Sequence, residues 1–225
     1  MVKLSDRMQA IANLVSGKTC ADIGTDHAFI PIFLAESNWV TKAAACDIAS
    51  GPLKLAQSHI EEAGLSGVIE TRLGAGLAPV TPREFETLII AGMGGSTIIE
   101  ILSESFETAL SFKQIIIQPQ TDIPLVRKYL TSSGIRITDE KMLLDNGKFY
   151  NILVCEPGIC EEYSIVELEF GKILLAGKND CLHKYLTSRL SKNLKHLPQI
   201  PEAKRGSLLS ENQLIREAQN EFYKP

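Results

Sequence analysis

Cysteine is scarce in this sequence and is not arranged in pairs. Five thiols stand at Cys20, Cys46, Cys155, Cys160 and Cys181, with no CxxC among them. Cys155 and Cys160 are the only near neighbours and have no histidine beside them, which argues against a zinc site; an odd, unpaired set argues against a disulfide frame. A long apolar run is missing as well. Nothing approaches the roughly 18 residues needed to span a bilayer. Met1–Ala10 (MVKLSDRMQA) lacks the apolar core of a secretion signal. These absences predict a soluble, cytoplasmic chain with reduced thiols, no membrane contact and no metal. Basic excess is absent too: 23 Lys and Arg stand against 27 Asp and Glu, a net charge of −4. That excludes a chain built throughout to wrap nucleic acid, though not a local basic patch. No solenoid repeat, low-complexity tract, P-loop or Ser-His-Asp pattern is present.

What is present is alternation. Leu4, Met8, Ile11, Leu14 and Val15 follow helix spacing behind Ser5, a suitable cap. Short strands are predicted at Thr19–Ile23, Ala43–Cys46, Val68–Leu73, Thr87–Ala91 and Gln114–Gln118. Helices are predicted behind Pro31, from Ser50 to Gly64, from about Ile98, and through Leu125–Leu130 to Gly134. Two further strands, Ile135–Leu144 and Lys148–Cys155, flank Asn146-Gly147, the strongest short hairpin signal. Five βα units followed by an antiparallel hairpin predict an α/β, Rossmann-like sheet of seven strands, the class I methyltransferase variant rather than the dehydrogenase one. After Pro157-Gly158 the pattern becomes helical. One helix is expected from Phe170 to Leu197, weakened by Gly171 and Gly177, and a second contains Leu208 to Phe222. This predicts domains at 1–158 and 159–225, the second a small coiled-coil-like helical hairpin. The halves differ in charge: 13 basic against 18 acidic residues in 1–159, and 10 against 9 in 160–225. Lys184, Arg189, Lys192, Lys195, Lys204 and Arg205 face only Glu202 within 184–205.

Ligands of such sheets bind beyond the carboxyl ends of the strands. The first strand ends in Asp22-Ile23-Gly24-Thr25-Asp26-His27-Ala28. Dinucleotide sites use three glycines there, so that a pyrophosphate can rest on a helix N-terminus. Here Asp26 takes the middle glycine position and Asp22 precedes the turn. Two carboxylates repel a pyrophosphate and suit a cationic ligand, such as the ammonium and sulfonium of S-adenosylmethionine. The plainer alternative is that Asp26 caps the following helix. Asp47 ends the second strand, 23 positions after Gly24, placed to accept hydrogen bonds from a ribose; its alternative is capping near Ser50. Leu73-Gly74-Ala75-Gly76-Leu77 is a turn that could meet an adenine ring. Ala91-Gly92-Met93-Gly94-Gly95 holds three glycines in four positions, which close approach of a ligand would justify. It has no Asn or Asp followed by prolines, as used for an exocyclic amine, so chemistry at a ring nitrogen is allowed. Phe29 and Met93 could line a base pocket or simply pack in the core. His27 reads as a structural or surface histidine, and Cys46 as small core filler.

ADIGTDHAFIP, CDIASGPLKLA, RLGAGL, LIIAGMGG, IIIQPQ and GKFYNILV occur in an order that resembles the bacterial tRNA (adenine(22)-N1)-methyltransferase family, TrmK. The resemblance runs from about Leu4 to Val154, and the helical tail matches in kind. It implies methyl transfer from S-adenosylmethionine to N1 of an adenine in tRNA. By it, Asp22, Gly24, Thr25, Asp26 and His27 lie along the cofactor, Asp47 and Ile48 meet its ribose end, and Gly74, Ala75 and Gly76 lie near its adenine. Ala91, Gly92 and Met93 also touch the cofactor; Asp26, Met93 and Gly94 form the reacting centre. Phe29 and Gly95 face the substrate base, and Lys192, Lys195, Lys204 and Arg205 meet RNA phosphates or else form a solvated helix face. Two departures stand out: Ala75 replaces a common acidic residue, and Phe29 a common tyrosine. A methyltransferase of another RNA or a small molecule, and a non-catalytic RNA-binding module, remain the alternatives. Oligomeric state is open, with a monomer favoured.

Overall fold

Seven strands form one sheet in the order β3-β2-β1-β4-β5-β7-β6. They are β1 (Thr19–Ile23), β2 (Lys42–Asp47), β3 (Ile69–Leu73), β4 (Thr87–Met93), β5 (Gln114–Pro119), β6 (Ile135–Asp145) and β7 (Lys148–Pro157). The computed structural model describes residues 2–223. Met1, Lys224 and Pro225, the outer ends of the two expected domains, lie outside the described residues.

β1 to β5 pair in parallel and β7 returns antiparallel between β5 and β6. Strand side chains alternate between faces, and both faces are buried. Ala21, Leu88, Ile90, Ile115 and Ile117 enter one core layer; Cys20, Ile89, Ile116 and Ile152 enter the other. The second layer is closed by α1 (Asp6–Ala12), α2 (Phe29–Glu36) and α3 (Ser50–Glu62). The first is closed by α4 (Gly95–Glu104), α5 (Phe106–Ala109) and α6 (Ile123–Ser132). Ser5 caps α1 as expected, its hydroxyl accepting from the Met8 amide. Asn146 and Gly147 both take positive φ, 49° and 78°, which is what a two-residue turn matched to strand twist requires.

Three sequence expectations change. Among the described residues no helix joins β3 to β4, so the unit there is strand–loop–strand. β4 runs two residues further, to Met93, and α4 starts at Gly95 rather than near Ile98. The single helix expected over Phe170–Leu197 is three: α7 (Ile165–Phe170), α8 (Lys172–Ala176) and α9 (Asp180–His196). The break at Gly171 has a physical cause in a buried ion pair. Arg127 of α6 and Glu140 of β6 meet at 2.8 Å with neither side chain exposed. Arg127 donates to the carbonyls of Leu168 and Glu169 at the end of α7, while Glu140 accepts the Ile173 amide at the start of α8. A β-carbon on Gly171, at φ 95°, would stand 2.7 Å from the Glu140 oxygens. The helix is cut because its orphan carbonyls and amides are taken by this pair.

The expected helical hairpin is formed by α9 and α10 (Gly206–Tyr223), with Asn193 and Asn212 hydrogen-bonded between them at 3.0 Å. Leu182, Leu186, Ile215 and Ala218 bury themselves with Phe170, Leu174 and Leu175, and with Met142 of β6. The position expected for a boundary, 158/159, lies between β7 and α7, and the tail's core closes against the β6–β7 hairpin.

Candidate functional site

β1 ends in a sharp turn because Gly24, at φ 71°, lets the chain fold back over β2; the Gly24 and Thr25 amides both donate to the Cys46 carbonyl. Asp22 is left beneath this turn, 5% exposed. Its Oδ2 accepts the Thr25 hydroxyl at 2.7 Å. Burial pushes its carboxyl up to about 6, Thr25 opposes the shift, Asp47 adds to it and Arg7 opposes it. Asp26 has φ 53°, a left-handed conformation that aspartate tolerates. Its side chain is 67% exposed and stands 3.5 Å from His27 Nε2. The helix-capping alternative fails, because α2 begins behind Ala28 with no side-chain cap. Asp47 Oδ1 accepts the Ala49 amide at 2.9 Å and Oδ2 the Asp26 amide at 3.4 Å. It therefore joins β2 to the Asp26 turn and also steadies the approach to α3.

Two chambers open at this edge. The larger, about 440 Å³, lies between Ile23, Gly24, Asp26, Asp47, Ile48, Gly74, Ala75, Gly76 and Met93 on the strand ends and Thr97, Glu100, Ile101 and Glu104 on α4. The smaller, about 180 Å³, is lined by Asp22, Gly24, Thr25, Asp26, His27, Phe29, Ala91 and Gly92, with Arg7 and Met8 of α1 and Ile30. Gly24 and Asp26 line both. A β-carbon on Gly24 would fall 2.0 Å from Met93 Cε, so the glycine makes room for the methionine at the junction.

Most of the residues singled out in the sequence are therefore brought together, with exceptions. Gly94 caps α4 and lines neither chamber. Gly95 is buried, and its missing β-carbon would lie 2.6 Å from the Thr121 carbonyl. The close approach of the protein's own backbone is enough to require this glycine. Lys192, Lys195 and Lys204 are exposed on the tail and Arg205 spends its Nε on the Ile200 carbonyl; none lines a chamber. Cys46 is fully buried, its thiol pushed up to about 12 chiefly by burial.

Several neighbours went unread. His27, Phe29 and His59 stack as a trio with centroids 5.2, 5.4 and 5.5 Å apart, and His59 Nδ1 lies 3.2 Å from the His27 carbonyl. Nothing local links His59 to His27. Thr97, Glu100, Ile101 and Glu104 share a helix face by their three- and four-residue spacing, a signal that was available. Arg7 carried none.

Among the described residues, no helix is long and apolar enough to cross a membrane, and no three His, Cys, Asp or Glu side chains gather to hold a metal ion.

Comparison with known proteins gives a consistent relationship. Residues 4–153 match a family model described as a methyltransferase domain. The tRNA (adenine(22)-N(1))-methyltransferase of Bacillus subtilis is 32% identical over 208 residues, 90% of this chain and 87% of that one. The structure of Streptococcus pneumoniae Sp1610 in complex with S-adenosyl-L-methionine superposes with a TM-score of 0.88 at 31% identity, covering 96% of this chain and 99% of that one. M. capricolum TrmK in complex with S-adenosyl-homocysteine gives 0.86 at 30% identity, covering 97% and 99%.

Proposed function

The chain belongs to the bacterial tRNA (adenine(22)-N1)-methyltransferase family, and we infer that it transfers a methyl group from S-adenosylmethionine to N1 of adenine 22 in tRNA. The observation that carries the site assignment is the pair of joined chambers sharing Gly24 and Asp26.

The residues fit the cofactor. Among the described residues the larger chamber carries Asp26, Asp47, Glu100 and Glu104 and no basic side chain, a wall set that favours a cation and disfavours a pyrophosphate. The smaller sets Asp22 against Arg7, which suits an amino acid's ammonium and carboxylate. Asp47 and Ile48 take the ribose end and Gly74–Gly76 the adenine. Ala75 brings no carboxylate to that end.

S-adenosylmethionine supplies the methyl group on a sulfonium that departs as a neutral thioether. N1 of neutral adenine has an in-plane lone pair, so the protein needs no base before attack; positioning supplies most of the acceleration. The target adenine has to leave its stack, and His27 and Phe29, which pack against the His59 ring, give the smaller chamber an aromatic wall, without the hydroxyl that tyrosine would add. Methylation leaves the ring cationic. Asp26, exposed at the junction, offers its carboxylate to that charge, and Met93 closes the junction from β4. The tail, residues 159–225, presents Lys192, Lys195 and Lys204 to the RNA.

The test is direct: unmodified tRNA with labelled S-adenosylmethionine, followed by nucleoside analysis. The expected result is 1-methyladenosine at position 22, lost when that adenine is replaced by guanine. Label in no nucleoside overturns the assignment.

A further inference from the structure

The chambers leave an electrostatic problem. Among the described residues their walls hold Asp22, Asp26, Asp47, Glu100 and Glu104 against Arg7 as the one Lys or Arg. Such a rim repels the phosphates that arrive with a tRNA, so cations are needed beside it. On the Asp47 and α4 side the rim is acidic. On the side of β5 and β7 stand two cations, Arg7 of α1 and Lys148, which the strand register pairs with Asp145 across the hairpin turn, and the side chains that hold them come from IIIQPQ and GKFYNILV, two motifs the reaction leaves without a role.

Gln118, near the end of β5, and Gln120, just beyond it, each hold one cation. Arg7 Nη1 donates to Gln118 Oε1 at 2.8 Å, and Lys148 Nζ donates to Gln120 Oε1 at 2.6 Å. Both partners are neutral amides; among the described residues neither cation is in an ion pair with a carboxylate. Both also lie over the Tyr150 ring, at 5.6 Å for Arg7 and 5.2 Å for Lys148 from its centroid. The arrangement follows from register. The Asn146-Gly147 turn starts β7 at Lys148, and a period of two puts Lys148 and Tyr150 on one face and Phe149 on the other. Phe149 meets Tyr185 of α9 edge-on at 5.3 Å. One short strand thus faces the tail on one side and Arg7, a wall of the smaller chamber, on the other.

We propose that Lys148 and Tyr150, held by Gln120 and Arg7, form an RNA-binding lip at the mouth of the smaller chamber, with Lys148 taking a backbone phosphate beside the unstacked adenine. The lip rests on the tRNA methyltransferase reading above. A cation held by a neutral amide and an aromatic face has no bonded counter-ion that a phosphate must displace, whereas one paired with a carboxylate does. Lys148 is exposed, so its substitution removes a charge without opening the core.

The experiment measures tRNA binding by anisotropy across a salt series for wild type, Lys148→Gln, Lys148→Glu and Lys148→Arg, with S-adenosylmethionine affinity measured calorimetrically in parallel. Lys18→Gln, at the opposite end of the sheet, controls for net charge. Lys148→Gln is expected to weaken tRNA binding about three- to tenfold and to lower the salt slope by about one. Lys148→Glu should weaken it further and Lys148→Arg restore it, while S-adenosylmethionine affinity and the Lys18→Gln variant stay within about twofold of wild type. Unchanged tRNA affinity and slope in Lys148→Glu, with wild type producing 1-methyladenosine, overturns the lip alone. A wild type that binds S-adenosylmethionine but neither binds nor methylates tRNA overturns the function, and the lip with it.

Discussion

Asp22 and Glu140 are both buried carboxylates, 5% and 4% exposed, and the two regions that hold them treat the charge in opposite ways. At the joint with the tail, Glu140 has Arg127 on one oxygen and the Ile173 amide on the other, and Arg127 in turn is bonded to two helix-end carbonyls. At the strand edge, Asp22 has one hydroxyl from Thr25, and its carboxyl is pushed up to about 6, first by burial. A buried charge with its partners supplied is part of the framework. One left short of partners next to a chamber is poised for a ligand that completes it. The polar groups that fix the tail are spent; those at the cleft are held in reserve.

The largest effect that tests this contrast belongs to the joint. Glu140→Ala leaves Arg127 buried without its counter-ion, and about 3–5 kcal/mol of stability should be lost in denaturant unfolding. Replacing both partners by apolar residues, Arg127→Met with Glu140→Leu, should recover most of it. S-adenosylmethionine affinity in the folded fraction should stay near wild type throughout. If the double variant is no better than the single one, the joint depends on more than charge pairing.

The cleft should behave the other way round. Asn tolerates the left-handed backbone at position 26, so Asp26→Asn removes the charge and keeps the turn. Turnover should fall by on the order of 10²-fold, the scale of losing one electrostatic stabiliser, with the melting temperature unchanged. Full turnover in that variant would remove Asp26 from the reaction.

The same contrast governs what could be read from the sequence. The strand-end turns were legible because their constraints are local: Gly24 at a bend, Asp26 in the place of a glycine, Asn146-Gly147 between two apolar runs. Asp47 was legible through its spacing from Gly24. The joint was not, because Arg127, Glu140 and the end of α7 meet from three distant segments, and helix periodicity runs straight across Gly171. Arg7 was missed for the same reason: its value comes from Gln118, Asp22 and Tyr150, none of them near it in the chain. The packing reason for Gly95 was missed because a glycine required by a neighbouring backbone looks, in sequence, like one required by a ligand.

Titration of Asp22 gives a smaller effect of definite sign. Burial holds its folded carboxyl at about 6, above the ordinary aspartate value of 3.8, so the folded state binds the extra proton first. The free protein should therefore gain stability from this group as pH falls from about 6 towards 4, and lose that gain as pH rises through 6. Cofactor affinity should run opposite, since a cationic ammonium needs the ionised form. Below pH 6 the dissociation constant should rise up to about tenfold per pH unit, and Asp22→Asn should flatten that slope. A pH-independent dissociation constant in wild type would detach Asp22 from the ligand.

The smallest effect comes from the α4 wall of the larger chamber. Glu100 and Glu104 lie one turn apart and face the solvent side of the cleft, where screening leaves each charge worth a few tenths of a kcal/mol. Glu100→Gln with Glu104→Gln should weaken S-adenosylmethionine by about twofold at low salt and by less at high salt. Binding of S-adenosylhomocysteine, the neutral thioether, should change less, because the sulfonium charge is what these residues attract. That differential separates a wall chosen for its charge from one that merely closes the cleft. Equal weakening of both ligands would assign Glu100 and Glu104 to shape, and would leave Asp22 and Asp26 as the carboxylates that select a cation.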